Sequence, residues 1–277
     1  MGCLTYSNDV HPICFTVDWE DWYHGLRLPD EVNRGLERRL KIGHDILLNL
    51  LAEAKVQATF FILGQCLEEF PELVQQIKDE GHELACHTYS HPFLSDISDV
   101  HLREEIRKCK ALVEPFQQGF AGFRAPYFSI NRQSLWALEV LKQEGFQYDS
   151  SIFPGNTFRS GISGFPRGPH RVGNGLIEFP ISNFNLLGLD FGFGGAYFRA
   201  LPYTYFRKRA KAILRDTPAV CYFHPWEFDP HQPYIRNSPP RARHSHYLNL
   251  GRTRDRIKAL LSDFQFTPMS QILNRAL

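Results

Sequence analysis

The sequence predicts an α/β fold in which parallel strands are joined by helices that cover the sheet. Three observations carry that prediction. Short apolar runs bounded by turn residues alternate along the chain with longer stretches of helical periodicity, the pattern of βαβ units. The 277 residues suit one such domain, since α/β domains routinely pass ~200 residues. Polar side chains follow directly on four of the apolar runs, as they do where a parallel sheet carries a site at its carboxyl edge.

Taken in order, strands are expected at 13–17 (ICFTV), 58–63 (ATFFIL), 83–86 (ELAC), 120–123 (FAGF), 176–181 (LIEFPI) and 219–223 (AVCYF). Between them Leu40, Ile46, Leu47, Leu50, Leu51 and Ala54 fall on one helical face, and Leu102, Ile106, Cys109, Leu112 and Val113 on another. Pro71 opens a helix that Gly81 closes, and Asn131 caps one that carries Leu135, Leu138 and Leu141 and ends at Gly145. The stretches 152–175 and 227–247, rich in Gly, Pro and Arg, read as long loops at one end of the sheet. GLDFGFGGAYF at 188–198 lacks the Lys-Ser/Thr of a phosphate loop and reads as turns.

Composition bounds the function. A 43% hydrophobic and 22% charged chain can bury a core without a metal or disulfide staple. Its net charge of +1 supplies no overall field to draw it onto nucleic acid. No run approaches the ~18 apolar residues of a spanning helix, and MGCLTYSNDVHPICF has no secretory pattern, so a cytoplasmic protein is expected. Gly2 invites a myristoylation motif, but Tyr6 stands where Ser or Thr is needed. The six cysteines form no CxxC and most lie in apolar segments, as buried free thiols do.

The first strand runs into Asp18-Trp19-Glu20-Asp21, the third into His87-Thr88-Tyr89-Ser90-His91, the fourth into Arg124-Ala125-Pro126-Tyr127, and the last into His224. One helical turn would set His87 and His91 on one face, close enough to share a metal, although twelve histidines make an i,i+4 pair easy to find by accident. On a strand Asp18 and Glu20 point to the same side, and Asp21 points away unless the strand has already ended. One carboxylate could then join the two histidines and the other act as a general base; alternatively, the acids are the first turn of a helix. A buried Arg124 would need a carboxylate, and a bidentate pair with Asp18 is the natural one. Trp19, Trp22, Tyr89, Tyr127 and Trp226 could stack on sugar faces or simply be core.

The ordered set FTVDWEDWYH, ATFFILG, GHELACHTYSHP, GFRAPYFSI and an apolar strand ending in His224 resembles the NodB-type polysaccharide deacetylases of carbohydrate esterase family four. With YDSSIFP, YFRALPY, FHPWEFDPHQP, RHSHYLNLGRT and DFQFTP, the likeness is to the branch found beside exosortase (PEP-CTERM) exopolysaccharide loci, over residues 13–268. The resemblance implies a distorted (β/α) barrel of about seven parallel strands, formed by a single domain over 1–277 with its core at about 13–226 and a C-terminal loop and helix at 227–277. It implies hydrolysis of N-acetyl groups on hexosamine units, with one divalent metal, zinc favoured and iron, cobalt or manganese possible. Carried over by position, Asp18 is the general base, His87 and His91 are metal ligands, Arg124 orients Asp18, the Tyr127 N–H is an oxyanion donor and His224 is the general acid. The chain departs from the family's adjacent Asp pair: Glu20 is the expected third ligand and Asp21 the reserve. The family's later Asp-Trp motif is absent, and Asp149 in Tyr148-Asp149-Ser150 is the candidate carboxylate partner of His224. The expected partner is an N-acetylated saccharide, with no nucleic acid and no membrane span. A silent carbohydrate-binding module would not need both Asp18 and His224, whereas a hydrolase of a non-sugar amide would need the same site.

Overall fold

The computed structural model describes residues 10–156, 160–173 and 175–276. Ten strands occur among them: β1 (Ile13–Trp19), β2 (Thr59–Ile62), β3 (Glu83–Cys86), β4 (Gly122–Phe123), β5 (Tyr148–Asp149), β6 (His170–Arg171), β7 (Ile177–Glu178), β8 (Asn183–Leu186), β9 (Leu189–Gly192) and β10 (Ala219–Phe223). Eight form one sheet in the order β10-β1-β2-β3-β4-β5-β7-β6, and β8 and β9 form a separate hairpin. Every neighbour pair from β10 to β7 is parallel, so the sheet has the seven parallel strands expected; only the edge strand β6 runs against it.

The sheet curls until its ends approach. Ser182, just beyond β7, exchanges bonds with Val220 of β10 (N→O 3.2 Å, and Val220 N→Ser182 Oγ 2.8 Å), and Gly194 bridges Tyr222. A Cβ on Gly194 would sit 1.9 Å from the Tyr222 carbonyl oxygen, so only glycine permits this approach. The result is a distorted barrel sealed by single residues instead of a full ladder.

Strand alternation then sorts the side chains. Ile13, Phe15, Val17 and Trp19 of β1 point outward into the main core, beneath helices that include Leu40–Ala54, Pro71–Asp79 and Asp99–Val113. Cys14 points inward to a second core with Phe61, Ala85, Tyr148, Ile177 and Val220. The C-terminal helix Met269–Ala276 closes the barrel floor, where Met269 N donates to Thr59 Oγ1 (2.9 Å). The alternation that buries Cys14 carries Thr16 and Asp18 inward too, toward the strand C-terminal ends.

The helices expected around Leu40, Pro71 and Leu102 form as Leu40–Ala54, Pro71–Asp79 and Asp99–Val113, with Gly81 left-handed just past the second (φ 80°). Asn131 caps a preceding turn through Oδ1, and the helix itself is Trp136–Gln143. Two loop expectations are corrected. GLDFGFGGAYF holds β9 and the helix Gly195–Ala200, and the basic stretch in 227–247 forms the helix Pro240–Tyr247. Cys14, Cys66, Cys86, Cys109 and Cys221 are buried free thiols, while Cys3, Gly2 and Tyr6 lie outside the described residues. Among the described residues no helix is long and apolar enough to cross a membrane.

Candidate active site

Four strand ends converge on a cavity of about 360 Å³ whose lining includes Asp18, Glu20, His87, His91, Tyr127 and His224. β1 ends at Trp19, and Glu20 N turns back onto Asp18 O (3.1 Å), which keeps both carboxylates on the cavity side. Asp21 faces elsewhere. Its two oxygens accept from Trp22 N (2.8 Å) and Arg39 N (2.9 Å), capping the short 3-10 helix Trp22–Leu26. Burial lifts the Asp21 carboxyl to about 6 despite these donors. The reserve ligand is thus a structural cap, and the acidic turn and the site carboxylates coexist in one tetrapeptide.

Arg124 is fully buried just beyond β4. One terminal nitrogen donates to Asp18 Oδ1 and to Thr16 Oγ1, both at 2.7 Å; Nε reaches Ser150 O (3.0 Å) and the other nitrogen Ser150 Oγ (2.9 Å). The expected bidentate pair is a single-point contact, because the rest of the fork is engaged by β1 and by the residue after β5. Asp18 Oδ2 is left toward the cavity, 3.8 Å from His224 Nε2.

His87 and His91 meet, with ring centroids 5.2 Å apart, but not on a helical turn. The segment is a loop with Thr88 (φ 64°) and His91 (φ 65°) left-handed, a strained backbone of the kind held at functional sites. Glu105 holds it by accepting from Tyr89 N (2.9 Å) and Ser90 N (2.7 Å). Gly64 lies beneath, where a Cβ would come within 2.9 Å of the Tyr89 Cα. His87 Nδ1 bonds Arg124 O (2.8 Å), so its Nε2 is the nitrogen left for a ligand role. Burial pushes His87 down to about 4, which keeps the imidazole neutral.

Glu20, His87 and His91 each offer a ligand atom within 4.8 Å of the others. Glu20 Oε1 accepts from Trp226 Nε1 (3.2 Å), and its buried Oε2 has no donor besides the His91 ring 2.6 Å away. Burial would raise the Glu20 carboxyl, but His91, His224 and His24 outweigh it and hold the group ionised. Two neutral-capable imidazoles and an under-satisfied carboxylate oxygen fit a divalent cation.

His224 ends β10 and begins the 3-10 helix Pro225–Phe228. Its Nδ1 lies 2.8 Å from Glu227 Oε1, and Glu227 Oε2 accepts from the buried Arg199 Nε (2.7 Å). Burial alone would lower the His224 pKa; the bond to Glu227 and the charges of Glu227, Glu20 and Asp18 outweigh it and raise it. Asp149, the expected carboxylate partner, instead opposes Glu178 in the β5–β7 register and accepts from Ser151 Oγ (2.5 Å). The real partner was legible as the acid three residues after His224 in HPWE. Of the aromatic candidates, Tyr127 and Trp226 line the cavity, whereas Trp19 and Trp22 are core. Arg241, Ser245 and His246 of the helix Pro240–Tyr247 also line the cavity, a contribution missed by reading that segment as loop.

A curled parallel sheet whose carboxyl edge gathers a two-histidine, one-carboxylate cluster beside a carboxylate and an imidazole can hold a divalent cation next to a pair of groups able to exchange protons. Residues 43–148 match the family model described as polysaccharide deacetylase, and residues 150–274 match a domain of unknown function, DUF3473. A peptidoglycan deacetylase of Helicobacter pylori is 30% identical over 150 residues, which are 54% of this chain and 49% of that one. The chain spans between about a third and a half of the length of the curated relatives it matches. A crystal structure from Mycobacterium smegmatis, assigned as a polysaccharide deacetylase, superposes with a TM-score of 0.66 at 20% identity, covering 99% of this chain and 93% of that one. An allantoinase structure superposes with a TM-score of 0.60 at 15% identity, covering 97% and 94%, so the fold alone does not choose a substrate. Over residues 43–148 the chain is thus similar to polysaccharide deacetylases, and its fold is shared with a structure assigned to that class.

Proposed function

We propose that this protein is a metal-dependent hydrolase that removes N-acetyl groups from hexosamine units of a polysaccharide or oligosaccharide. The observation that carries the reading is the placement of Asp18 and His224, 3.8 Å apart, on the cavity that also holds the Glu20, His87 and His91 cluster. The deacetylase relatives favour an N-acetylated saccharide over the non-sugar amide and silent-module alternatives. The DUF3473 match fits the exosortase-associated branch. A single working domain is favoured because β10, from the second matched region, pairs with β1.

Glu20 Oε2, His87 Nε2 and His91 would hold the ion, zinc before iron, cobalt or manganese. Bound there, it would supply Lewis-acid polarisation of the acetyl carbonyl and ease deprotonation of water. Arg124 orients Asp18 through Oδ1, so that its Oδ2 takes the proton of the attacking water. The Tyr127 N–H, on a left-handed turn (φ 58°) lining the cavity, receives the developing oxyanion. His224, whose protonated form Glu227 favours, gives its Nε2 proton to the amine as the C–N bond breaks. Acetate and the free amino sugar leave, and the proton taken by Asp18 balances the one given by His224. Acetate release from N-acetylated oligosaccharides, measured alongside the metal content of the purified protein, tests the reading. Metal-loaded protein that releases no acetate from any N-acetylated saccharide but opens a small cyclic amide would replace it with the non-sugar alternative.

A further inference from the structure

Arg199 is 1% exposed and reaches the border of the cavity from the helix Gly195–Ala200, not from one of the strand ends. Burying a guanidinium is costly unless its donors are engaged, and here they are divided between two structures. Nε donates to Glu227 Oε2 at 2.7 Å. The two terminal nitrogens donate to the carbonyls of Ser245 (3.0 Å), His246 (3.0 Å) and Leu248 at the end of the helix Pro240–Tyr247. Those carbonyls have no further helical turn to bond to, and the arginine satisfies them. The same helix lays His246 against Trp226 (ring centroids 4.1 Å, 20° between planes), and Trp226 in turn stacks on His224 (4.7 Å, 24°). One guanidinium therefore fixes the carboxylate that holds His224 and the helix that backs the aromatic stack on it.

We infer that Arg199 is a positioning residue: by tying Glu227 to the end of the helix Pro240–Tyr247, it fixes the orientation in which His224 delivers its proton to the leaving amine. The inference rests on the proton-donor role proposed for His224. Lysine cannot replace it, because a single ammonium cannot serve Glu227 and three carbonyls at once. Free guanidinium, which has the right shape and charge, can.

The test compares wild type, Arg199→Ala, Arg199→Lys and Glu227→Gln on an N-acetylated chitooligosaccharide and on an activated aryl acetate, whose leaving group departs without a proton. Arg199→Ala is expected to lower kcat on the amide by about 10²-fold, with KM little changed, and to leave the aryl acetate within about threefold. Added guanidinium should restore part of the amide rate in Arg199→Ala and none in Glu227→Gln, which lacks the carboxylate it would bind. A packing role alone would lower both substrates together with no rescue, and that result overturns the inference. If Arg199→Ala does not fold, Arg199→Lys carries the same comparison.

A second readout needs no turnover. The downfield Nδ1 proton of His224, assigned by its loss in His224→Ala, should shift or broaden in the proton NMR spectrum of Arg199→Ala. An unchanged resonance in that variant overturns the inference. If wild type cleaves no saccharide, the proposed function fails while the spectrum still decides the positioning role.

Discussion

Replacing Arg124 with methionine, of similar length but apolar, is expected to cost about 3–5 kcal/mol of stability, the range for breaking a buried ion pair from one side. The structure indicates where the loss arises. Thr16 and Ser150 still donate through their hydroxyls to Cys221 O and Phe179 O, so Thr16 loses one incoming bond and Ser150 two, at its hydroxyl and its carbonyl oxygen. Asp18 loses the Arg124 donor to Oδ1 while its side chain remains 6% exposed, which leaves a carboxylate without its countercharge. Counting the four bonds separately at about 1–3 kcal/mol each would overshoot, because they share one guanidinium and are not additive. At about 2–4 °C per kcal/mol, the melting midpoint should fall by about 6–20 °C. Urea unfolding at pH 7, followed by circular dichroism, measures the difference provided the slope is unchanged. Adding Asp18→Asn to Arg124→Met should recover at least about 1 kcal/mol, because the second change removes the stranded charge. A single-variant loss below about 1 kcal/mol, or no recovery in the double variant, would refute the view that the pair is buried and coupled.

His87→Ala should lose the divalent ion while keeping its secondary structure, and full occupancy by elemental analysis would contradict the ligand assignment. Asp18→Asn should keep the ion and lose acetate release, whereas Glu20→Gln should weaken ion binding. Asp21→Asn should leave ion binding unchanged and lower the melting midpoint, since that carboxylate caps Trp22 and Arg39. Burial lifts Asp149 from 3.8 to about 6, so its contribution favours folding at low pH and is lost as pH rises through that interval. Asp149→Asn, which can still accept from Ser151 and donate to Glu178, should therefore gain on wild type between about pH 4 and 7 in urea melts; a pH-independent difference would exclude a shared proton.

How far the sequence could be read follows strand length. β1, β2, β3 and β10 are four to seven residues and almost wholly buried, so they appear as apolar runs. β4 and β7 are two residues each yet lie inside the expected apolar runs 120–123 and 176–181, whereas the two-residue β5 stands in no apolar run and left no periodic trace. The hairpin β8–β9 was hidden because glycines at 188, 192, 194 and 195 look like loop, though the first only makes its turn and Gly194 allows a close backbone approach. The helix Pro240–Tyr247 has few apolar residues and begins at the second of two prolines, so periodicity misses it; Pro240 at its first position was the available signal. At the site, the i,i+4 spacing of His87 and His91 pointed to two rings that do come together, but through a left-handed loop and not the helical turn the spacing implied. Asp149 misled because it was carried over by its place in the chain near the family's absent Asp-Trp motif, and in this fold that place puts it opposite Glu178.

The location of β1 explains why the site draws on the whole chain. β1 lies between β2 and β10, so its carboxyl end adjoins strands from both matched regions. Asp18 and Glu20 sit at that junction, with His87, His91 and Arg124 reaching them from residues 43–148 and His224 and Trp226 from 150–274. Neither matched stretch alone holds both carboxylate and imidazole of the Asp18–His224 pair, because Asp18 precedes both. A parallel sheet permits this, since every strand in it delivers its end to the same edge, whatever the distance along the chain. The 206-residue sequence gap between Asp18 and His224 closes to 3.8 Å through one pairing, Val17 with Phe223, the residues that precede them. Shifting that register by one residue would turn Asp18 out of the barrel, so the buried alternation of β1 and β10 that stabilises the fold also sets the distance between the proposed base and acid.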